Sequence, residues 1–138
     1  AKTLHEARRV LKSDGGFYFV DFGRLKRAGT QRFFAEDKRR LQSENFTLDY
    51  LNSMKAAFSV NELADAVALM GLDFEQYATS LASFMVVFKS KNRRVLDDAT
   101  QLLVLKMYGQ LPTVQQQSFQ SFAKWFRTGG LGLPCELF

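Results

Sequence analysis

Residues 6–22 read EARRVLKSDGGFYFVDF. The stretch opens with apolar residues spaced three to four positions apart up to Leu11, which predicts a helix. Gly15 and Gly16 then predict a turn, because glycine takes positive φ angles without steric cost. Residues 17–22 are strand-forming side chains that do not alternate with polar ones. We therefore expect a strand covered on both faces, as in a parallel sheet between layers of helices.

A second group of signals lies in the middle of the chain. Ser59 and Glu62 have the spacing of a capping box, in which each residue bonds the backbone amide of the other at the start of a helix. Gly71 marks the end of that helix. The strand-like segments 72–78 and 84–88 follow. Because their connection is short, we expect them to be antiparallel neighbours.

Further helices are expected on both sides of these strands. The predicted segments are 31–41, a helix capped by Thr47 that runs to about residue 57, 94–108 and 113–128. Both C-terminal helices are expected to turn apolar side chains inward: Val95, Ala99, Leu102 and Leu103 in the first, and Phe119, Phe122, Ala123 and Phe126 in the second.

The composition argues against several classes of protein. A chain of 138 residues with 46% hydrophobic side chains has the length and balance of a compact globular domain. No apolar run reaches the roughly 18 residues that span a bilayer, and the first residues lack the apolar segment of a signal peptide. The single cysteine, Cys135, and the single histidine, His5, provide neither an internal disulfide nor a thiolate zinc cluster. We expect no metal site, no membrane contact and a cytoplasmic location.

The positive charge is concentrated in the first third of the chain. Residues 1–43 hold eleven Lys and Arg against five Asp and Glu, whereas the remainder holds eight against nine. A basic region can attract nucleic acid. The alternative is a solvated helix face, and we favour it because no aromatic-basic motif accompanies the charges. A nucleic-acid partner is therefore not expected.

The stretch that opens the chain resembles a known family. It resembles a segment of class I S-adenosylmethionine-dependent methyltransferases that consists of a helix, a Leu-Lys-x-x-Gly-Gly turn and the fifth strand of the sheet. The turn corresponds to residues 11–16 of this chain. Ser13 and Asp14 depart from the usual pattern of that turn. Residues 50–59, YLNSMKAAFS, followed by Glu62 and Leu63, resemble a segment ahead of the last helix in small-molecule members of the family.

The resemblance implies a particular α/β fold. The chain would be the C-terminal half of a Rossmann-like methyltransferase sheet, with one parallel-type strand, an antiparallel strand pair and flanking helices. The segments 72–78 and 84–88 would be the sixth and seventh strands. The methyltransferase part would cover residues 1–90, and residues 91–138 would form a helical C-terminal extension.

The resemblance also implies a cofactor and a reaction. Members of the family transfer a methyl group from S-adenosylmethionine, which they bind through a glycine-rich loop after the first strand and an acidic residue after the second. Gly15 and Gly16 precede a strand and so do not match that loop. We expect the cofactor-binding residues upstream of this chain. The chain would then contribute to methylating a small molecule, and would be inactive alone.

The resemblance points to five candidate site residues near the end of the first strand. Asp21 is the candidate catalytic residue, which would orient or deprotonate the methyl acceptor; alternatively, its carboxylate bonds nearby backbone amides. The candidate substrate-binding residues are Phe22, Arg24, Tyr50 and Ser53. Arg24 would pair with an anionic substrate or be solvated, and Phe22 and Tyr50 are alternatively core residues.

Two non-catalytic functions are alternatives to the enzyme. One is an interaction or dimerisation module built on the aromatic residues of the last helix, and the other is the basic nucleic-acid-binding module. The fragment interpretation also predicts an open edge on the first strand, where the fourth strand of the family would pair. Either the C-terminal extension or a second copy of the chain would cover that edge, so a homodimer is a reasonable expectation.

Overall fold

The computed structural model describes residues 2–37, 39–91 and 96–132, which form a mixed α/β structure. In chain order the elements are α1 (Lys2–Val10), β1 (Tyr18–Phe22), α2 (Ala28–Glu36), a 3₁₀ turn (Arg39–Leu41), α3 (Glu44–Ala56), α4 (Val60–Ala68), β2 (Glu75–Ala78), β3 (Met85–Lys89), α5 (Asp98–Gly109) and α6 (Thr113–Thr128). No described helix is both long and apolar enough to cross a lipid bilayer.

The three strands form one antiparallel sheet in the order β1-β3-β2. Val87 of β3 lies opposite Val20 on one side and Tyr77 on the other, and both neighbours run antiparallel to β3. The expected antiparallel pairing of the second and third strands is therefore confirmed. Since β1 and β2 are both antiparallel to β3, they run in the same direction.

The core is built around the central strand. Val86, Val87 and Phe88 are fully or almost fully buried. Val86 and Phe88 point to one face of the sheet, where they pack with Val67 and Met70 and with partly buried residues of α1 and α4. The side chain of Val87 points to the other face because side chains alternate along a strand. Helix α6 lies on that second side.

A second buried cluster closes the carboxyl end of β1. Leu25, Met54 and Phe84 form its buried centre, and Phe22 and Phe122 pack against it. The cluster combines residues of the loop after β1, of helix α3 and of the turn before β3. It therefore fixes helices α2 and α3 at the end of the sheet where β1 finishes.

The expectation that β1 would be covered on both faces is wrong for the described residues. Tyr18 is 61% exposed and Val20 is 44% exposed. The amide of Ser90 bonds the carbonyl of Phe17, and the amide of Gly23 bonds the carbonyl of Phe84. In this alternating pattern the backbone groups of Tyr18 and Val20 point away from β3. The edge of β1 is thus open within the described chain.

The local signals for the helices were partly right. The capping box is confirmed: the Glu62 amide donates to Ser59 Oγ at 3.3 Å, and the Ser59 amide donates to Glu62 Oε2 at 2.7 Å. Helix α3 begins earlier than expected, because Ser43 rather than Thr47 accepts the capping bond, from the Phe46 amide at 3.2 Å. Thr47 lies within the first turn instead and donates its hydroxyl to the Ser43 carbonyl.

Two other segments are shorter than their sequence patterns predicted. The segment expected to form one helix over residues 31–41 divides into α2, which already begins at Ala28, and the 3₁₀ turn. The strand expected over residues 72–78 begins only at Glu75. Residues 72–74 belong to the connection between α4 and β2.

The two C-terminal helices differ in how they pack. In α6, Ala123 and Phe126 are buried and Phe122 is partly buried, as expected, whereas Phe119, also expected inside, is 37% exposed. In α5, Ala99, Leu102 and Leu103 were expected inside but are exposed. That helix begins at Asp98 after an Asp97 cap, whereas the predicted start at residues 94 and 95, like Cys135, lies outside the described residues.

Candidate functional site

A cleft of about 550 Å³ opens where α2, α3 and α6 meet the carboxyl end of β1. We call it the aromatic cleft, and its aromatic lining residues are Phe33, Phe34, Tyr50, Phe84, Phe122 and Trp125. The amide of Gly23, the first residue after β1, donates to the carbonyl of Phe84 at 2.9 Å. This bond joins the end of the strand directly to the cleft wall.

Ring contacts hold the wall of the cleft in a fixed arrangement. Phe34 stacks on Phe84 with ring centroids 4.4 Å apart and planes 16° apart. Trp125 meets Phe84 edge-on, with centroids 5.2 Å apart and planes at 87°. Offset-stacked and edge-on pairs are the favoured geometries of aromatic rings. These contacts fix the orientation of the three rings in the wall.

Polar groups interrupt this apolar lining. They are Asp37, Gln42, Gln117, Ser118 and Ser121, together with the hydroxyl of Tyr50. Burial, and secondarily the negative charge of Asp37, raises the pKa of Tyr50 above its ordinary value near 10. The phenol therefore stays protonated at neutral pH. It can donate a hydrogen bond to a ligand but does not act as a base there.

The structure brings two of the five predicted site residues together. Tyr50 is half-buried and lines the aromatic cleft. Phe22 contacts it from behind, with ring centroids 5.3 Å apart. Ser53 lies one turn further along α3 and is exposed, and it is not among the residues that line the cleft. The two aromatic candidates thus share one site, whereas Ser53 faces solvent.

Asp21 has a local partner in its own strand. Its Oδ1 accepts a hydrogen bond from the amide of Phe22 at 2.7 Å, and the residue is exposed. That amide is one of the groups that the alternating pattern directs to the open edge of β1. The contact agrees with the interpretation in which the carboxylate bonds a nearby backbone amide.

Arg24 connects the end of β1 to the start of α4. Its Nε donates to the carbonyl of Ala57 at 2.9 Å, and its Nη2 lies 3.0 Å from Glu62 Oε2. Its own amide donates to the carbonyl of Phe58 at 2.8 Å. The guanidinium therefore fastens two chain segments together, and it would have to leave these partners to bind an anionic substrate.

Glu62 is held ionised by the same group of contacts. Hydrogen bonds from the amide and side chain of Ser59, followed by the charge of Arg24, lower the pKa of Glu62. Charge-assisted bonds of this kind favour the carboxylate over the acid. The loop after β1 is therefore anchored to the helix start by a permanently charged pair at neutral pH.

A second cleft, of about 650 Å³, lies between the sheet and α6. Tyr18, Tyr77 and Phe126 line it, along with the ion pair of Lys89 and Glu75. The hydrogen bond from Lys89 lowers the pKa of Glu75. Although this cleft is larger, we favour the aromatic cleft as the candidate site because Tyr50 lines it and Phe22 contacts Tyr50 from behind.

Two glycines that follow regular elements differ from the loop that binds S-adenosylmethionine in the family named above. A site for that cofactor needs a glycine-rich loop after a strand, with room for the cofactor next to the backbone. Gly23 follows β1, but a Cβ atom there would overlap the carbonyl oxygen of Ser83, so no ligand fits against it. Gly129 is likewise packed against the carbonyl of Ala78. No group of three or more possible metal ligands is found in the described part of the chain either.

Sequence reasoning missed most of the cleft wall. Phe33, Phe34 and Trp125 lie far from the strand end in sequence and reach it only through the packing of α2 and α6. The signal that could have found them is the aromatic content of the sequence: fourteen phenylalanines are many for a chain of this length, and its single tryptophan stands out.

Comparisons with known proteins leave the family open. No family model matches the chain, and neither does any curated protein or solved structure. A functional interpretation therefore rests on the residues and their geometry.

Proposed function

We propose that this chain supplies the acceptor-binding side of an S-adenosylmethionine-dependent methyltransferase that acts on a small planar molecule. The observation that carries the proposal is the position of the aromatic cleft at the carboxyl end of β1, where ligands bind in open α/β sheets. Its size lies within the range of small-molecule sites, which are mostly apolar with a few polar groups.

The strand arrangement supports the same interpretation. The resemblance assigns β1, β2 and β3 to the fifth, sixth and seventh strands of the family, the last two being antiparallel. In the structure β1 and β2 run in the same direction, with helices α2, α3 and α4 between them in the chain, and β3 runs antiparallel to both. Strands joined through a helix are typically parallel, so this arrangement is compatible with a Rossmann-like sheet.

For methyl transfer, the residues around the acceptor mainly have to position it. Methyl transfer is an in-line displacement, so it is accelerated chiefly by orienting the acceptor atom and excluding water. In this proposal Trp125 contacts the ring of the acceptor, and the phenol of Tyr50 donates a hydrogen bond that orients it. Asp21 does not line the cleft and its carboxylate bonds the Phe22 amide, so in this proposal the proton of the acceptor passes to water rather than to Asp21.

In this proposal the open edge of β1 is where the rest of the sheet would pair. The backbone groups of Tyr18 and Val20 are available there to pair with a further strand, and both side chains are exposed. A cofactor-binding part of the protein would continue the sheet from this edge. S-adenosylmethionine would bind to that part, and the acceptor would bind in the aromatic cleft.

Ligand binding in the aromatic cleft is measurable with the chain itself. Trp125 is the only tryptophan and lines the cleft, so its fluorescence reports on a bound ligand directly. We expect small planar phenols and aromatic amines to quench it in a saturable manner, and aliphatic alcohols of similar size to have no effect. The Tyr50→Ala substitution should weaken binding about tenfold, because it removes one hydrogen bond and one ring contact.

Tyr18→Ala is the matched control, because Tyr18 is an exposed tyrosine that does not line the aromatic cleft. It should leave the quenching curve unchanged. Equal quenching by planar and aliphatic compounds, or equal affinity of the Tyr50→Ala variant and the parent, would show that the cleft is not an acceptor site.

A further inference from the structure

Helix α5 carries a large apolar surface that the rest of the described chain does not cover. Leu102 is 68% exposed, Leu103 is 55% exposed and Leu105 is 41% exposed, and no residue of the helix is buried. Single exposed leucines are ordinary on protein surfaces, but several on one twelve-residue helix are not. A helix of this kind is normally covered by another structure.

The side that α5 turns towards its own chain is narrow. Gln101, Val104 and Tyr108 are partly buried and recur at helical spacing. The hydroxyl of Tyr108 accepts a hydrogen bond from Gln120 at 2.9 Å, and its ring contacts Phe119 of α6. These contacts fix the rotation of α5 about its axis, so that Leu102 and Leu105 point outward.

The charges on the outward side are arranged symmetrically about Leu102. Asp98 lies four residues before it and Lys106 lies four residues after it, and both are exposed. If a second α5 is placed antiparallel with the two Leu102 side chains facing each other, Asp98 of each copy lies opposite Lys106 of the other. The opposed helix dipoles favour the same orientation.

From this self-complementary pattern we propose that α5 is a dimerisation helix that packs antiparallel on α5 of a second copy of this chain. Such a two-fold contact uses the same surface on both copies, which is the commonest form of protein dimer. The contact buries mainly Leu102 and Leu105, with Leu103 at its border. A single helix pair is a small interface, so the dimer is weak and depends on concentration.

Self-association is tested by sedimentation velocity over a range from about 1 to 500 µM, the range in which small interfaces associate. We expect the average mass to rise from monomer towards dimer in the parent and to stay at monomer in Leu102→Glu. Leu81→Glu is the matched control, since Leu81 is a fully exposed leucine in the turn between β2 and β3. It should dimerise like the parent. Circular dichroism verifies that each variant is folded.

Disulfide crosslinking tests the antiparallel register in a Cys135→Ser background. Leu102→Cys places both thiols next to the two-fold axis, so oxidation should produce a covalent dimer. Met107→Cys is the control: five residues from the axis, the two copies would lie about 15 Å apart along the helices, too far for a disulfide.

Each result decides the proposal. Selective crosslinking of Leu102→Cys, together with loss of dimer in Leu102→Glu, supports it. Mass that stays at monomer at every concentration would overturn it and leave α5 to a different partner. Equal crosslinking of both cysteine variants, or a dimer unaffected by Leu102→Glu, would likewise show that the copies do not pair in this way.

Discussion

Gly23→Ala should destabilise the protein by about 2–4 kcal/mol, at or somewhat above the usual range for an overpacked site. The added Cβ atom would overlap the carbonyl oxygen of Ser83 and lie 3.1 Å from Cγ2 of Val86. The backbone has little freedom to move away, because the Gly23 amide bonds the Phe84 carbonyl and the next amide bonds the Phe58 carbonyl. The conflict therefore involves main chain on both sides.

Gly29→Ala is the control for this substitution, since Gly29 lies in α2 with open space where its Cβ would be. That change should be neutral or stabilise the protein by up to about 1 kcal/mol, because alanine favours a helix over glycine. Urea denaturation of both variants measures the difference. Equal midpoints for Gly23→Ala and the parent would mean that the end of β1 is not packed against the turn before β3 as described.

Phe88→Ala should cost about 3–5 kcal/mol of folding free energy, the range for removing a buried aromatic side chain. Phe88 lies in the central strand and is 2% exposed. Its ring meets Phe74 edge-on at 5.8 Å, and it packs with Val67 and Met70. Truncation therefore leaves a cavity between the sheet and α4 and weakens the contact that holds this helix on the sheet.

Phe33→Ala is the corresponding control, because Phe33 is a phenylalanine that is 65% exposed. Its removal should cost less than about 1 kcal/mol. If Phe88→Ala does not fold, Phe88→Leu, which should cost roughly 1.5 kcal/mol, still measures the site. A stability loss from Phe33→Ala as large as that from either Phe88 variant would contradict the assignment of β3 to the core.

The structural features that could be predicted from the sequence were local ones. The Ser59–Glu62 capping box depends on a few neighbouring residues, and it forms as expected. Gly71 ends its helix region with φ of +63°, the conformation for which glycine is suited. The pairing of β2 with β3 follows from their short connection. Each of these features is fixed by neighbours along the chain.

The features that the sequence did not reveal depend on distant partners. The pattern of β1 indicated a buried strand, but its exposure depends on whether another strand lies beside Tyr18 and Val20. The outward direction of Leu102 depends on which side of α5 meets α6 through Tyr108. At the candidate site, Tyr50 and Phe22 were found from the sequence, whereas the partners of Arg24 in the loop before α4 and in α4 were not.

In the function proposed above, this chain provides the acceptor side of a methyltransferase and residues outside it provide the cofactor side. Isothermal titration calorimetry of S-adenosylmethionine tests this directly, with the 138-residue chain and with the polypeptide that the same reading frame encodes when its upstream codons are included. We predict no measurable binding to the chain and stoichiometric micromolar binding to the longer polypeptide. Stoichiometric micromolar binding to the 138-residue chain alone, or a longer polypeptide that does not bind, would contradict the account.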